Sequence, residues 1–394
     1  MSSIPKEEVN RRIGMLKGLM EKSNMDACLI VQKADLFYFS GTAQEAHLFI
    51  SLADPPILFV RKSFERAVQQ SPLDQIVSIA SFSQMRDEIL AQSSSRMSSL
   101  GLELDVLPVN NFRVYEELFP NTEMTDVSGS IRETRMIKSA YEIDLIKRAA
   151  EMNNDLFVSV KDILKEGLTE LEFSGLLEAR YRKNGHQGYV RVRSFNQDIF
   201  YGHIMSGRHL AVPSCSLGPT GGPGPHASFP YGAGMKIIQR NEPIQIDYVG
   251  VFEGYLVDQA RTFFLGEPAS DFLSLHALAL SIQSAVATGG LPGTKAESLY
   301  DLAIDMASEA GSLEGFLGHP MPVPFLGHGV GLELDELPIV GKRSPHVLQE
   351  GMVIALEPKF ILPGRGLAGI ENTFVVTKTG MEKLTLFDDE IQVL

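Results

Sequence analysis

The chain has 394 residues, 44% of them hydrophobic and 21% charged, and a formal net charge of −14. That length suits two domains, and the acidic balance argues against nucleic acid as a main partner, because phosphate contacts need a basic surface. Cys28 and Cys215 are its only cysteines, too few for a disulfide framework or a thiolate metal site. No apolar run reads as long as a membrane span, and Met1 to Glu21 lacks a signal-peptide layout. The expectation is a cytoplasmic protein with neither nucleic acid nor membrane as partner.

Residues 1 to about 127 read as an α/β unit. Pro5 opens a helix over Glu7–Lys22, and Ala27–Val31 is a buried strand. Short apolar strands follow at Leu48–Ile50, Ile57–Val60 and Ile76–Ile79, with helices near Phe82–Gln92 and Val109–Leu118. Nothing there gathers catalytic residue types, and the lone His47 reads as structural. The basic segment Arg132–Lys138 marks the boundary, dividing the chain into 1–130 and 131–394. Ser139 with Glu142, then Thr169 with Glu172, form capping boxes that start two helices. Strands at Tyr189–Arg193 and Ile199–Tyr201, a Gly/Pro-rich loop over Leu217–Gly224 and an acidic hairpin come next. Helices near Ser270–Thr288 and Lys295–Ala310, a histidine segment and a second acidic hairpin complete the chain. Helix pair, strands, hairpin, stated twice, suggests an internal duplication.

The two hairpins carry the chemistry. The first runs from Ile246 to Asp258 with its midpoint between Phe252 and Glu253, so Asp247 and Asp258 are predicted to oppose each other across the ladder. The second is centred on Gly364, so Glu357 and Glu371 are predicted to oppose each other as well. Directly opposed side chains have Cβ atoms about 4.5–5.5 Å apart, and like charges there are destabilising. Two such pairs in strands otherwise rich in Ile, Val, Leu and Phe call for a cation. Between the hairpins, Gly327-His328-Gly329 sets one imidazole among glycines, which let backbone approach a ligand closely. A single histidine of this kind is more often structural; joined to two carboxylate pairs it completes five metal ligands, Asp247, Asp258, His328, Glu357 and Glu371. Five mostly anionic ligands suit two divalent ions about 3.5–4 Å apart. Oxygen-rich donors favour Mn, with Co, Zn and Fe open.

Asp247-x10-Asp258, Gly-His328-Gly-x-Gly, Glu357-Pro358 and Ile370-Glu371-Asn372-Thr373, taken in order, resemble the pita-bread metallopeptidases: aminopeptidase P, prolidase, methionine aminopeptidase and creatinase. Arg135–Ile143, Gly254-Tyr255 and Arg261-Thr262 extend the likeness. It covers residues 132–390 strongly and 1–127 more loosely, through the N-terminal domain of the creatinase, prolidase and aminopeptidase P branch. The fold implied is α+β, a C-terminal pita-bread domain with a smaller N-terminal α/β domain, and related enzymes imply a homodimer. Some positions depart from the pattern. Pro324 and Asp335 stand where relatives usually carry histidines, and Gly369 and Asn372 where they often carry arginine and aspartate.

The activity implied is hydrolysis of an amide bond by a metal-bridging hydroxide, in a small peptide with proline after the cleaved bond. Glu357 would act as general base and then acid. His226 and His203 are the candidate replacements for the missing substrate-facing histidines; an exposed loop position is an equal reading of His226. Asp335 would bind a substrate amine or, more simply, cap the turn before Pro338. Two alternatives remain: a creatinase-like or other small-molecule C–N hydrolase or lyase, and a non-catalytic binding module, which five retained ligands disfavour.

Overall fold

Local signals in the sequence set most element boundaries in the computed structural model, which describes residues 4–94, 97–215 and 218–394. The chain divides into two units, Met1–Arg135 and Met136–Leu394. In the first, helix α1 (Lys6–Lys22) precedes strand β1 (Ala27–Ile30), α2 (Lys33–Ser40), β2 (Ala46–Ser51) and β3 (Ile57–Val60). Then come α3 (Phe64–Gln70), β4 (Gln75–Ser78), α4 (Phe82–Gln92), β5 (Ser99–Leu102), α5 (Val109–Leu118), β6 (Glu123–Asp126) and α6 (Ser128–Met136). The six strands form one sheet in the order β4-β3-β2-β1-β5-β6, with buried Leu29, Phe49, Phe59 and Leu100 in its core. Strands β5 and β6 and helices α2, α3 and α6 were not predicted. The segment 132–136, expected as a boundary, is the end of α6.

The second unit opens on α7 (Ala140–Ile163) and α8 (Glu170–Lys183), each with its capping box formed. Strand β7 (Gly202–Ser206) pairs with β8 (Ile244–Phe252), which pairs with β9 (Tyr255–Phe264), all antiparallel. Helices α9 (Ser270–Gly289) and α10 (Ala296–Glu309) precede β10 (Phe325–Gly329) and β11 (Glu336–Gly341). A long ribbon follows: β12 (Val353–Leu356), β13 (Lys359–Leu362), β14 (Gly366–Gly369), β15 (Asn372–Thr377) and β16 (Gly380–Lys383), with β17 (Gln392–Val393) beside β9. In both halves a helix pair leads to a first strand that pairs antiparallel with a second, and the second with a third: β7-β8-β9 and β10-β12-β15. The predicted strands at 189–201 are instead isolated bridges, Val190 with Ile199 and Val192 with Leu334.

Helix α9 corrects one expectation, for its 20 residues are long and apolar enough by length and composition to cross a membrane. Its buried positions Phe272, His276, Ala279, Gln283 and Val286 fall on one stripe at helical spacing. His276 shares a hydrogen with the Asp389 carbonyl, and Gln283 donates to the Leu356 carbonyl. The stripe is therefore packed into the core of this unit.

His186 braces β8 next to the acidic residues. Its ring stacks on Tyr181 at 4.5 Å. Nδ1 accepts from the Gly188 N–H at 2.9 Å, so Nε2 carries the proton and donates to the Val249 carbonyl at 3.0 Å. Burial, and then the nearby Arg182 charge, push the imidazole down to about 4 from 6.5, against the pull of the Val249 bond. A depressed folded-state value means the unfolded chain binds the extra proton first, so stability present above pH 6.5 is lost as the pH falls toward 4. The expected outcome is that His186→Gln removes roughly 2–3 kcal/mol of the stability loss between pH 7 and pH 4. Urea unfolding followed by circular dichroism at both pH values checks it.

Candidate metal centre

The β8–β9 turn is the two-residue Glu253-Gly254, both at positive φ (46° and 89°), as a tight hairpin with strand-matched twist requires. This sets Phe252 opposite Tyr255, Val249 opposite Asp258 and Asp247 opposite Ala260. The predicted direct opposition of Asp247 and Asp258 is therefore off by two residues. A slip of two preserves the face, whereas a slip of one would reverse it, so both aspartates still point the same way as diagonal neighbours.

For the second pair the predicted register holds. Leu356 lies opposite Asn372, and Lys359 opposite Gly369, on either side of the break at Pro358. Glu357 and Glu371 fall between the two ladders in that same register. The Glu357 N–H donates to the Leu326 carbonyl at 2.9 Å, tying it to β10. Glu371 bridges to Ala260 of β9, and Thr373 exchanges hydrogen bonds with the Asp258 backbone at 3.0 and 2.8 Å. Those links join the two strand systems where the carboxylates meet.

The glycines around His328 have a steric cause. A Cβ at Gly327 would lie 2.1 Å from the Ala355 carbonyl oxygen, and one at Gly329 2.2 Å from that of Leu337. Without side chains there, β10 fits tightly between β11 and β12, and the imidazole is aimed into the pocket. Its Nδ1 lies 3.2 Å from the Gly329 carbonyl, to which it donates, and 3.5 Å from Asp335 Oδ1. Nε2 is thereby left as an acceptor, 3.8 Å from Asp258 Oδ2 and 3.9 Å from Glu357 Oε1.

All five predicted ligands line one pocket, together with His203, Asp335 and Lys359, and all five are buried. Ligand atoms of Asp258, His328 and Glu371 lie within 4.8 Å of one another, about the span a single ion with bonds of about 2.0–2.2 Å can bridge. Asp258 Oδ1 is buried with no hydrogen-bond partner, a costly state for a carboxylate that nothing else neutralises. Burial, with Glu371 and Asp247 close by, pushes the Asp258 carboxyl far above the usual range. Burial also lifts Glu371 to about 8, against the pull of the Lys359 ammonium. Burial opposes charge on His328, yet Asp335, Glu357 and Glu371 raise its imidazole above 6.5. These residues fit a divalent cation.

Lys359 was not anticipated. Its ammonium is buried among the acidic ligands and donates to Asp247 Oδ2 at 2.8 Å, Glu357 Oε2 at 2.9 Å and Glu371 Oε2 at 2.7 Å. Burial disfavours the charge, but the three carboxylates raise the ammonium well above its usual range. Burial would likewise raise Asp247, and Lys359 and His203 overcome it, leaving Asp247 below its usual value. The signal was available: residues 357 and 359 share a strand face, and the midpoint at Gly364 that pairs Glu357 with Glu371 also pairs Lys359 with Gly369.

The two candidate histidines separate. His203 reaches the pocket, since β7 sets it opposite Asp247, but both ring nitrogens are committed. Nδ1 meets the Tyr231 hydroxyl at 2.7 Å, and Nε2 meets Thr220 Oγ1 at 3.0 Å with Asp247 Oδ2 at 3.4 Å. The expected catalytic His203 thus stands in the pocket wall, bonded to two hydroxyls and beside Asp247, where it positions that carboxylate. His226 is exposed and bonded to Ser228 Oγ at 2.9 Å; its loop holds it outside the pocket lining, which corrects its catalytic and substrate-binding roles. Asp335 does line the pocket, at φ 61°, beside the His328 ring. This position fits an orienting role toward His328.

Behind Glu371, the fully buried Arg261 donates to the Glu371 carbonyl at 2.8 Å, to Asn372 Oδ1 at 2.8 Å and to Asp389 Oδ1 at 2.7 Å. Asn372 is held further by Gln283 and Thr385. Arg261→Met is expected to destabilise the protein by about 3–5 kcal/mol, because it strands buried acceptors; chemical denaturation checks this.

Comparison with known proteins agrees with this geometry. Residues 144–378 match Metallopeptidase family M24, and residues 12–137 match the Creatinase/Prolidase N-terminal domain. The chain is 28% identical over 385 residues to the Xaa-Pro dipeptidase of Pyrococcus horikoshii, covering 97% of this chain and 99% of that protein. It is 27% identical over 388 residues to the Xaa-Pro dipeptidase of Pyrococcus furiosus, with coverage of 97% and 100%. Among solved structures, the Xaa-Pro dipeptidase of Bacillus anthracis superposes with a TM-score of 0.83 at 25% identity, covering 98% of this chain and 100% of that one. With its smaller N-terminal α/β unit and its α+β catalytic unit of the pita-bread type, the chain belongs to metallopeptidase family M24.

Proposed function

We propose that this peptidase hydrolyses small peptides with proline after the scissile bond, using divalent metal held by Asp247, Asp258, His328, Glu357 and Glu371. The observation that carries the reading is the convergence of all five groups on one pocket, in a chain aligned over nearly its whole length with Xaa-Pro dipeptidases. Oxygen-rich donors favour manganese. A pair of ions, the arrangement expected from the sequence, requires Lys359 to give up its three carboxylates. The two cysteines, one buried and one exposed and both free thiols, suit a reducing compartment, and we infer a cytoplasmic homodimer.

When bound, divalent metal acidifies water and polarises a carbonyl. The protein's own groups do the rest. Glu357 keeps Oε2 on Lys359 and turns Oε1 toward His328 Nε2, so one oxygen stays oriented while the other takes a proton from water and returns it to the leaving nitrogen. His203, hydrogen-bonded to Thr220 and Tyr231, holds Asp247 from behind. Asp335 keeps the His328 ring in the tautomer whose Nε2 accepts.

A panel of Xaa-Pro dipeptides and Xaa-Pro-Xaa tripeptides, assayed with added Mn(II), tests the proposal. Turnover that is lost on chelation and restored by metal is the expected result. Failure to turn over any proline peptide when metallated would overturn it and favour a small-molecule C–N substrate. Glu357→Gln is expected to lower kcat by about 10²–10⁴-fold, read as turnover at saturating substrate.

A further inference from the structure

We infer that the Lys359 ammonium is a built-in replacement for one of two cations, so that this centre holds a single divalent ion beside a lysine. The inference rests on the metal-dependent reading above and narrows it.

Three observations converge. Lys359 is fully buried, and its three donors are satisfied by three separate carboxylates, Asp247, Glu357 and Glu371, at 2.7–2.9 Å. An ammonium has three donors, so the match is complete. What Lys359 leaves over is one coherent ligand set: Asp258 with its unpartnered Oδ1, His328 and a carboxylate oxygen of Glu371. The first cation place is filled by the chain, and the second is bounded by groups that lack a partner or face one another across about 4 Å.

The backbone is cut to admit this lysine. Across the ladder from Lys359 stands Gly369, where a Cβ would lie 2.8 Å from Lys359 Cα and 3.0 Å from its Cγ. Position 369 is therefore without a side chain, and the positive charge is supplied from the opposite strand, inside the carboxylate cluster. Bringing two divalent cations to about 4 Å apart in a buried pocket already carrying Lys359 is opposed by Coulomb repulsion.

The test is a metal count. Chelator-stripped protein is loaded with excess Mn(II), desalted, and assayed by elemental mass spectrometry and electron paramagnetic resonance. Wild type is expected to retain one Mn per chain with the six-line signal of an isolated ion. Lys359→Met and Lys359→Gln are expected to retain two, with an exchange-coupled signal, and Lys359→Arg to remain at one. Two Mn per wild-type chain, or a count unchanged in folded Lys359→Met and Lys359→Gln, overturns the inference while leaving metal dependence intact. No Mn in wild type or any variant overturns both readings. The wild-type count is decisive even if both neutral variants fail to fold.

Discussion

Four carboxylates sharing one buried pocket are the constraint around which the second unit is organised. Burial raises the cost of each negative charge, and each neighbour raises it further, so the cluster exists only with compensating positive charge. Asp258 carries the sharpest form of the problem, with a buried oxygen bonded to nothing. The supporting framework is correspondingly stiff. Arg261 clamps the backbone at Glu371, Thr373 stitches β15 to Asp258, and glycines on either side of His328 let three strands close tightly. Each device holds a ligand through its main chain or from behind, leaving the acidic oxygens facing inward.

Much of this was legible before the structure. Apolar periodicity located α1, α4 and α5 to within a residue or two, and capping boxes located the starts of α7 and α8, because such signals are local. The metal ligands were legible because hairpin symmetry turns sequence spacing into spatial opposition. Glu357 and Glu371 illustrate this fully, and Asp247 and Asp258 only in part, since the Glu253-Gly254 turn shifts the register by two. What escaped were features set by distant contacts. Strands β5 and β6 owe their place to parallel pairing with β1 and with each other, which no nearby residue announces. His226 could not be placed because nothing local determines where a Gly/Pro-rich loop directs its side chains. Lys359 was missed for a different reason: a lysine at the start of an apolar strand reads as a solvent-facing charge until its partner Gly369 is noticed.

The duplication seen in element order extends to the site. His203 on β7 lies opposite Asp247 on β8, and His328 on β10 lies two residues from the point opposite Glu357 beyond β12. Each half thus offers one imidazole and two acidic groups, with Asp258 and Glu371 meeting where β9 approaches β15. The halves have diverged in use. His328 keeps Nε2 turned toward the acidic ligands, whereas the His203 ring is taken up by Tyr231 and Thr220. Lys359 spans the two halves, donating to Asp247 of the first and to Glu357 and Glu371 of the second.

The facing of Lys359 and Gly369 also restricts what position 369 can carry. A Cβ there would meet the Pro358 carbonyl oxygen at 2.7 Å, Lys359 Cα at 2.8 Å and Lys359 Cγ at 3.0 Å. Two of those three atoms are backbone, so shortening the lysine alone makes no room. A larger residue at 369 would have to part the strands that carry Glu357 and Glu371, and the closeness of the ladder thereby guards the spacing of the two glutamates.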